Sequence, residues 1–309
     1  MSIEADKQFH SGYVAILGRP NVGKSTLMNG LVGEKIAIMS SKAQTTRNKI
    51  MCILNTDKAQ ILFLDTPGIH KAQHKLGDFM VKTALDTLKD VDLVLFVVDA
   101  TEARGAGDDY ILEVLQKAKQ PVILVVNKVD LLSKSAKVLD VIKTYSDSFN
   151  FAAVVPVSAL KDKEFPDLVQ EIEKHLPVGP RYFDEDVLTD QPERVIAAEM
   201  IREKVLKCTH DEVPHSVAVE VTDFKERDNG AVFIRATIFT ERDSQKGILI
   251  GAKGSMLKKI GQLARADIEG LLGTKVFLEL WVKVSQDWRN NKKLLKEFGY
   301  STDNGNNQR

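Results

Sequence analysis

Apolar residues in the first half of the chain come in short continuous runs. Tyr13-Val14-Ala15-Ile16-Leu17, Ile61-Leu62-Phe63-Leu64, Asp90 to Ala100, Pro121 to Val126 and Ala152 to Val157 each end in polar or glycine-containing residues. Such runs predict strands covered on both faces, as in a mostly parallel sheet between helices. Thr26 to Val32 and Phe165 to His175 are expected helices between and after them. The second half has a different texture. Glu193 to Lys207 places Val195, Ile196, Met200, Ile201 and Val205 at helical spacing, whereas Ser216 to Val221 and Ala231 to Thr240 alternate. Lys275 to Val284 puts Val276, Leu278, Leu280 and Val282 on one strand face. That is the pattern of a smaller α+β domain. The change falls at Pro177 to Asp186, where helix breakers meet an acidic cluster. The expected organisation is therefore an α/β domain over residues 1–180, a linker at 181–192, an α+β domain at 193–298 and a flexible tail at 299–309.

Chemistry enters at the ends of the apolar runs. The first run leads into Gly18-Arg19-Pro20-Asn21-Val22-Gly23-Lys24-Ser25, then Thr26 at a helix start. Strand, glycine turn and helix are the context in which G-x-x-x-x-G-K-[ST] cradles phosphates. Gly18 and Gly23 let successive N–H groups point inward, and the helix N-terminus adds partial positive charge. Lys24 is expected at the β- and γ-phosphates, and the Ser25 hydroxyl on Mg²⁺. The next run delivers Asp65-Thr66-Pro67-Gly68. Asp65 is placed to hold a water of the Mg²⁺ shell and the Gly68 N–H to sense the γ-phosphate. Ile69 to Val81 would be released on hydrolysis, as in a GTPase switch. A threonine of the polar stretch Ser40 to Arg47 completes the metal shell, Thr46 in preference to Thr45.

Asn127-Lys128-Val129-Asp130 follows the fourth run and specifies the base. A carboxylate there accepts from both N1–H and the exocyclic amine of guanine. Adenine offers no such donor pair, and leaving a buried charge unpaired costs roughly 1–3 kcal/mol or more. Asn127 is expected at the Hoogsteen edge and the Lys128 stem along the ring face. The backbone amides of Ser158-Ala159-Leu160 are expected at guanine O6. The reaction these parts support is GTP hydrolysis to GDP and phosphate by positioning and charge neutralisation.

In the second half, Gly251-Ala252-Lys253-Gly254 lies between two short helical stretches, in a helix–strand–strand–helix–helix–strand order. This matches the GXXG loop of a type II KH domain, which clamps a nucleic-acid backbone. Lys246, Lys258, Lys259 and Arg265 surround it with positive charge.

Together, Gly18 to Thr26, Lys42-Ala43-Gln44-Thr45-Thr46-Arg47, Asp65 to Gly68, Asn127 to Asp130 and Ser158-Ala159 ahead of a single KH domain resemble the ribosome-assembly GTPases of the TrmE–Era–EngA group. The similarity runs from about Ser11 to Phe298. One departure stands out, because the position where Ras-like enzymes carry a water-orienting glutamine is Ile69. In related GTPases the asparagine at the position of Asn21 helps bind a K⁺ ion that supplies an arginine finger's charge. The resemblance also implies 16S rRNA and the 30S ribosomal subunit as partners, a monomeric cytoplasmic protein, and peripheral association with the cell membrane. The competing reading is a non-catalytic RNA-binding protein in which GTP only props the domains together.

Composition changes this picture in one respect. The 309 residues carry 43 basic and 43 acidic side chains, so any attraction to RNA must come from a local patch rather than from net charge. Cys52 and Cys208 have no metal-ligand spacing, and two isolated thiols fit a reducing compartment. The six histidines form no ligand pattern. The N-terminus lacks a basic-apolar signal, and no apolar run is long enough to span a bilayer.

Overall fold

A computed structural model describes residues 8–40, 42, 45–69, 74–133 and 136–300. Ala43 and Gln44 of the polar motif, residues 70–73 after Ile69, and residues 301–309 of the expected tail lie outside the described residues. The chain divides into two compact units. The first comprises Met1–Ala37, Thr46–His70 and Met80–Asp190, and the second Ile38–Thr45, Lys71–Phe79 and Gln191–Arg309, in each case as far as the residues are described.

In the first unit the elements run β1 (His10–Leu17), α1 (Lys24–Val32), β2 (Ile50–Asn55), β3 (Ala59–Asp65), α2 (Lys75–Thr87, begun in the second unit), β4 (Leu93–Asp99), α3 (Ala106–Leu115), β5 (Val122–Asn127), α4 (Ala136–Ser146), β6 (Ala153–Pro156) and α5 (Pro166–His175). Among the described residues they form a six-stranded sheet ordered β2-β3-β1-β4-β5-β6, parallel except for β2 against β3. Every residue of β3, β4 and β5 is buried, which is why these strands read as unbroken apolar runs. Because the strands are parallel, the residues that end β1, β3, β4, β5 and β6 emerge at one edge. Open α/β sheets bind ligands at that edge, where the strand order switches direction.

The stretch expected as a linker is pinned to this unit. The buried Gln60 side chain donates to the Phe183 carbonyl at 2.8 Å and accepts from the Tyr182 and Phe183 N–H groups. Tyr182 stacks on Tyr13, and Ile53 N–H donates to the Leu188 carbonyl.

The second unit contains α6 (Glu193–Cys208), β7 (Ala218–Glu226), β8 (Val232–Thr240), α7 (Asp243–Ile250), α8 (Ser255–Leu272), β9 (Val276–Val284) and α9 (Lys292–Glu297). β7 pairs antiparallel with β8, and β9 pairs parallel with β8 at the other side, an order reached through the α7–α8 crossover. Ala197, Ile201 and Val205 of α6 and Ile260, Ala264 and Ile268 of α8 are fully buried with Ile234, Ala236 and Ile238 of β8. Helices thus cover one sheet face. The 38–45 stretch is held by α6, where Glu203 accepts from Met39 N–H at 2.9 Å and Arg202 donates to the Thr45 carbonyl.

Candidate functional site

The loop from Gly18 to Gly23 turns only because three of its residues take conformations that favour glycine or asparagine. Gly18, Asn21 and Gly23 have φ of 157°, 65° and 100°. A Cβ on Gly18 would stand 2.4 Å from the Val97 carbonyl oxygen. Lys24 opens α1, and its Nζ donates to the carbonyls of Gly18 and Arg19 at 3.1 and 2.9 Å. Burial pulls the Lys24 ammonium down to about 8, partly offset by the Asp65 carboxylate. The Arg19 side chain turns away, pairing with Asp108 and Glu102 at 3.0 Å, so only its backbone faces the loop interior.

Ser25, Thr46 and Asp65 meet at one point. Asp65 Oδ2 accepts from Ser25 at 2.7 Å and from Thr46 at 3.1 Å, and the two hydroxyl oxygens are 2.9 Å apart. The Thr45 hydroxyl instead donates to Lys42's carbonyl at 2.6 Å. Asp65 Oδ1 is buried and, among the described residues, accepts no hydrogen bond. Burial pushes the Asp65 carboxyl up, while Lys24, Ser25 and Thr46 oppose that shift. One orphaned carboxylate oxygen beside two hydroxyls is the oxygen-only donor set that suits Mg²⁺, with phosphate and water filling the shell. Among the described residues no group of three or more His, Cys, Asp or Glu side chains is placed to hold a metal ion.

Gly68 lies against the phosphate loop, where a Cβ would come within 2.8 Å of the Pro20 nitrogen. The adjacent Ile69 N–H donates to the Gly18 carbonyl at 3.3 Å. Thr66 is buried and donates to Ile16's carbonyl at 2.7 Å, so it ties β3 to β1 and its hydroxyl is not directed to a ligand. Pro67 is buried between these two residues.

At the base end, Asn127 ties three segments together. Its amide nitrogen donates to the Val22 carbonyl at 2.8 Å, and its oxygen accepts from Lys128 and Ala159 N–H groups at 2.8 and 2.9 Å. One amide hydrogen is left for a base edge. Asp130 is exposed in the turn after β5, and Ser158 Oγ donates to its Oδ1 at 2.6 Å. Lys128, in a left-handed conformation, pairs with Asp99 at the end of β4. That pair and its hydrogen bonds hold the Asp99 carboxyl below the usual range despite burial. Two of the three amides expected at guanine O6 meet protein groups in this structure. Ser158 N–H goes to Asp162 at 2.7 Å and Ala159 N–H to Asn127 at 2.9 Å. Asp99, Asp162 and the buried Asn29, which holds Ile36 and Ala37 through backbone bonds, were invisible to motif spacing. Burial of a lone polar side chain would have signalled Asp99 and Asn29, while the exposed Asp162 carries no such mark.

In the second unit, Gly251 to Gly254 joins α7 to α8 with φ of 70° at Gly251, 50° at Lys253 and 80° at Gly254. Ala252 and Lys253 are exposed at its tip. Beside it runs an open cleft of about 330 Å³, lined by Gly254, Leu257, Lys258, Arg265, Leu278 and Leu280. The Leu278 and Leu280 wall comes from the apolar face of β9, which the sequence assigns to strand packing alone.

The 50S ribosome-binding GTPase family model matches residues 13–128, and the KH domain model matches residues 212–289. Curated relatives named GTPase Era, from Ruminiclostridium cellulolyticum and Geotalea daltonii, are each 55% identical. These alignments cover 95% and 96% of this chain and 98% and 99% of the relatives. The chain belongs to the Era family of GTPases. Among solved structures, Era in complex with MgGDPNP and nucleotides 1506–1542 of 16S ribosomal RNA superposes with a TM-score of 0.92 at 43% identity, over 95% of this chain and 99% of that one. A single-substitution variant of Aquifex aeolicus Era bound to GDP.AlF4- matches with a TM-score of 0.90 at 42% identity, over 95% and 100%. As an Era-family member the protein is a GTPase, with an α/β P-loop domain of mostly parallel sheet followed by a KH domain.

Proposed function

We propose that this protein is a GTP-driven switch that binds 16S rRNA near its 3′ end and acts in assembly of the 30S subunit. The observation that carries the nucleotide half is the convergence of Ser25, Thr46 and Asp65 beside Lys24 at the edge where Asp130 and Ser158 also emerge. The RNA half rests on the left-handed Gly251–Gly254 turn beside a cleft carrying Lys258 and Arg265. The Era structure with an rRNA fragment supports it by similarity.

In this reading Lys24 leaves the Gly18 and Arg19 carbonyls for the β- and γ-phosphates, where its charge opposes the negative charge developing at the leaving oxygen. Ser25, Thr46 and Asp65 would hold Mg²⁺, which would supply charge neutralisation of the phosphates. Gly68 N–H touches the γ-phosphate, and its closeness to Pro20 keeps that donor beside the loop. Asn127 fixes the phosphate loop relative to the base site. Asp130, oriented by Ser158, accepts from guanine. Ile69 has no group to orient water, so turnover without RNA or another activator is slow. Replacing Lys24 with Ala removes a charge-assisted contact made most strongly in the transition state. Hydrolysis should fall on the order of a thousandfold in single-turnover phosphate release, since removing a donor to developing charge costs about 10²–10³ in rate.

Asn21, in its left-handed turn at the exposed lip of the loop, is the residue we assign to K⁺. Hydrolysis should then run faster in KCl than in NaCl at equal ionic strength, and Asn21→Ala should abolish the difference. The cytoplasmic, monomeric state and the peripheral membrane contact follow the family resemblance. No helix among the described residues is long and apolar enough to cross a membrane.

The deciding experiment is multiple-turnover phosphate release with and without the 16S 3′-end fragment. Stimulation by the RNA supports an RNA-coupled GTPase, and binding without turnover would support the non-catalytic reading. Gly254→Asp separates the two halves. A Cβ there meets nothing within 4 Å, so the fold survives, while a carboxylate is placed where a phosphate must pass. RNA affinity measured by filter binding should drop at least tenfold with basal GTP hydrolysis intact.

A further inference from the structure

Helices cover only one face of the second unit's sheet, and the opposite face carries large aromatic residues. On β9, Phe277 and Trp281 point outward and are 56% and 55% exposed. Phe277 stacks on Phe233 of the adjoining β8 at 5.8 Å. Arg227 lies over both rings, 5.0 and 5.1 Å from their centres, and Arg235 lies 5.3 Å over Phe233. Arg235 is pinned by Asp223 and Glu279 at 2.8 and 3.1 Å. Arg227 makes no ion pair among the described residues, so its guanidinium keeps donors for an incoming anion. The Trp281 indole donates to Glu279 at 2.8 Å, which fixes the ring by its edge and leaves its faces open.

β9 is an edge strand of this sheet, and it has two jobs by alternation. Leu278 and Leu280 turn inward to wall the cleft beside Gly254, while Phe277 and Trp281 turn outward. A strand of nucleic acid leaving the cleft across this edge meets the aromatic face next. We propose that the outward face of β9 is a second nucleic-acid contact, at which an unpaired base stacks on Trp281 and the flanking backbone meets Arg227. Rings interleaved with cations are the composition that binds single strands, because every base has a face to stack and every nucleotide a phosphate. A dry protein interface fits less well. It would have to desolvate Asp223, Arg227, Arg235 and Glu279 between the rings.

The proposal rests on the RNA-binding reading of the cleft, and the test separates the two. Full-length protein and the variants Trp281→Ala, Trp281→Phe, Arg227→Gln and Gly254→Asp are titrated with two RNAs. One is the 1506–1542 fragment of 16S rRNA. The other is a 3′-end oligonucleotide of about four nucleotides, the length a GXXG loop clamps. Trp281→Ala and Arg227→Gln should each weaken the long fragment on the order of tenfold, as loss of one stacked base or phosphate contact does, and leave the short one unchanged. Trp281→Phe should restore most of the loss, and GTP hydrolysis should be normal throughout. Since Trp288 is fully buried, quenching of the exposed Trp281 should follow the long RNA and not the short. Wild-type affinity in Trp281→Ala and Arg227→Gln, with Gly254→Asp defective, overturns this contact and leaves the cleft standing. No RNA binding by the wild-type protein overturns both. Normal RNA affinity with lost binding to 30S particles would assign the face to a protein and overturn the proposal as well.

Discussion

Gly23→Ala is expected to weaken guanine-nucleotide binding severely while most of the fold persists. Gly23 has φ of 100°, and an added Cβ would stand 2.2 Å from the Asn127 amide nitrogen. The conformational strain costs about 1–2 kcal/mol. Relief of the clash requires Asn127 to move, and with it go the bonds to Val22, Lys128 and Ala159. Disturbing such a buried polar group costs roughly 1–3 kcal/mol more. Together these terms weaken GTP and GDP on the order of a hundredfold or more, as isothermal titration would read. Gly33→Ala is the matching control. Its φ is 81° but a Cβ would meet nothing within 4 Å, so it should lose a little stability and no nucleotide affinity. Equal affinities in the two variants would remove Asn127 from its assigned place at the junction of the phosphate and base loops.

Asp130→Asn should exchange guanine for xanthine. Ser158 donates to Oδ1 of Asp130, and an asparagine oxygen accepts that bond equally well, so the side chain keeps its orientation. The other terminus changes from acceptor to donor. It then opposes the guanine amine and matches the xanthine oxygen. The lost charge-assisted pair and the new donor–donor conflict should cost GTP about one to two orders of magnitude in affinity, with XTP gaining. Competition against a fluorescent guanine nucleotide measures both. A variant that still preferred GTP would show that base choice is made elsewhere.

Much of the candidate site was legible in the chain because its chemistry is local. Phosphate binding needs consecutive backbone amides, so its determinants are neighbours in sequence, and glycines at 18 and 23 announce the turn. Parallel strands bury both faces, so their runs were readable, and the residues ending them mark the ligand edge. Several elements went unread, and two features show why. β2, an apolar run with no motif at its end, was not separated from the polar stretch before it. The pinned course of residues 181–190 depends on Gln60, more than a hundred positions away.

The amino-acid sequence alone thus determined the two-domain order, the phosphate loop, the Asn127–Asp130 turn after β5 and the GXXG turn. Each is encoded by contiguous residues or by a period of burial. Tertiary structure alone decided which polar groups satisfy one another. It gave Thr46 rather than Thr45 to Asp65, made Asn127 a tie between loops, paired the Ser158 and Ala159 amides with Asp162 and Asn127, and grouped residues 38–45 with the second unit. Periodicity reports that a side chain is buried, but a hydrogen bond is made by whichever partner the fold brings within about 3 Å, and that choice is not written at either residue's own position.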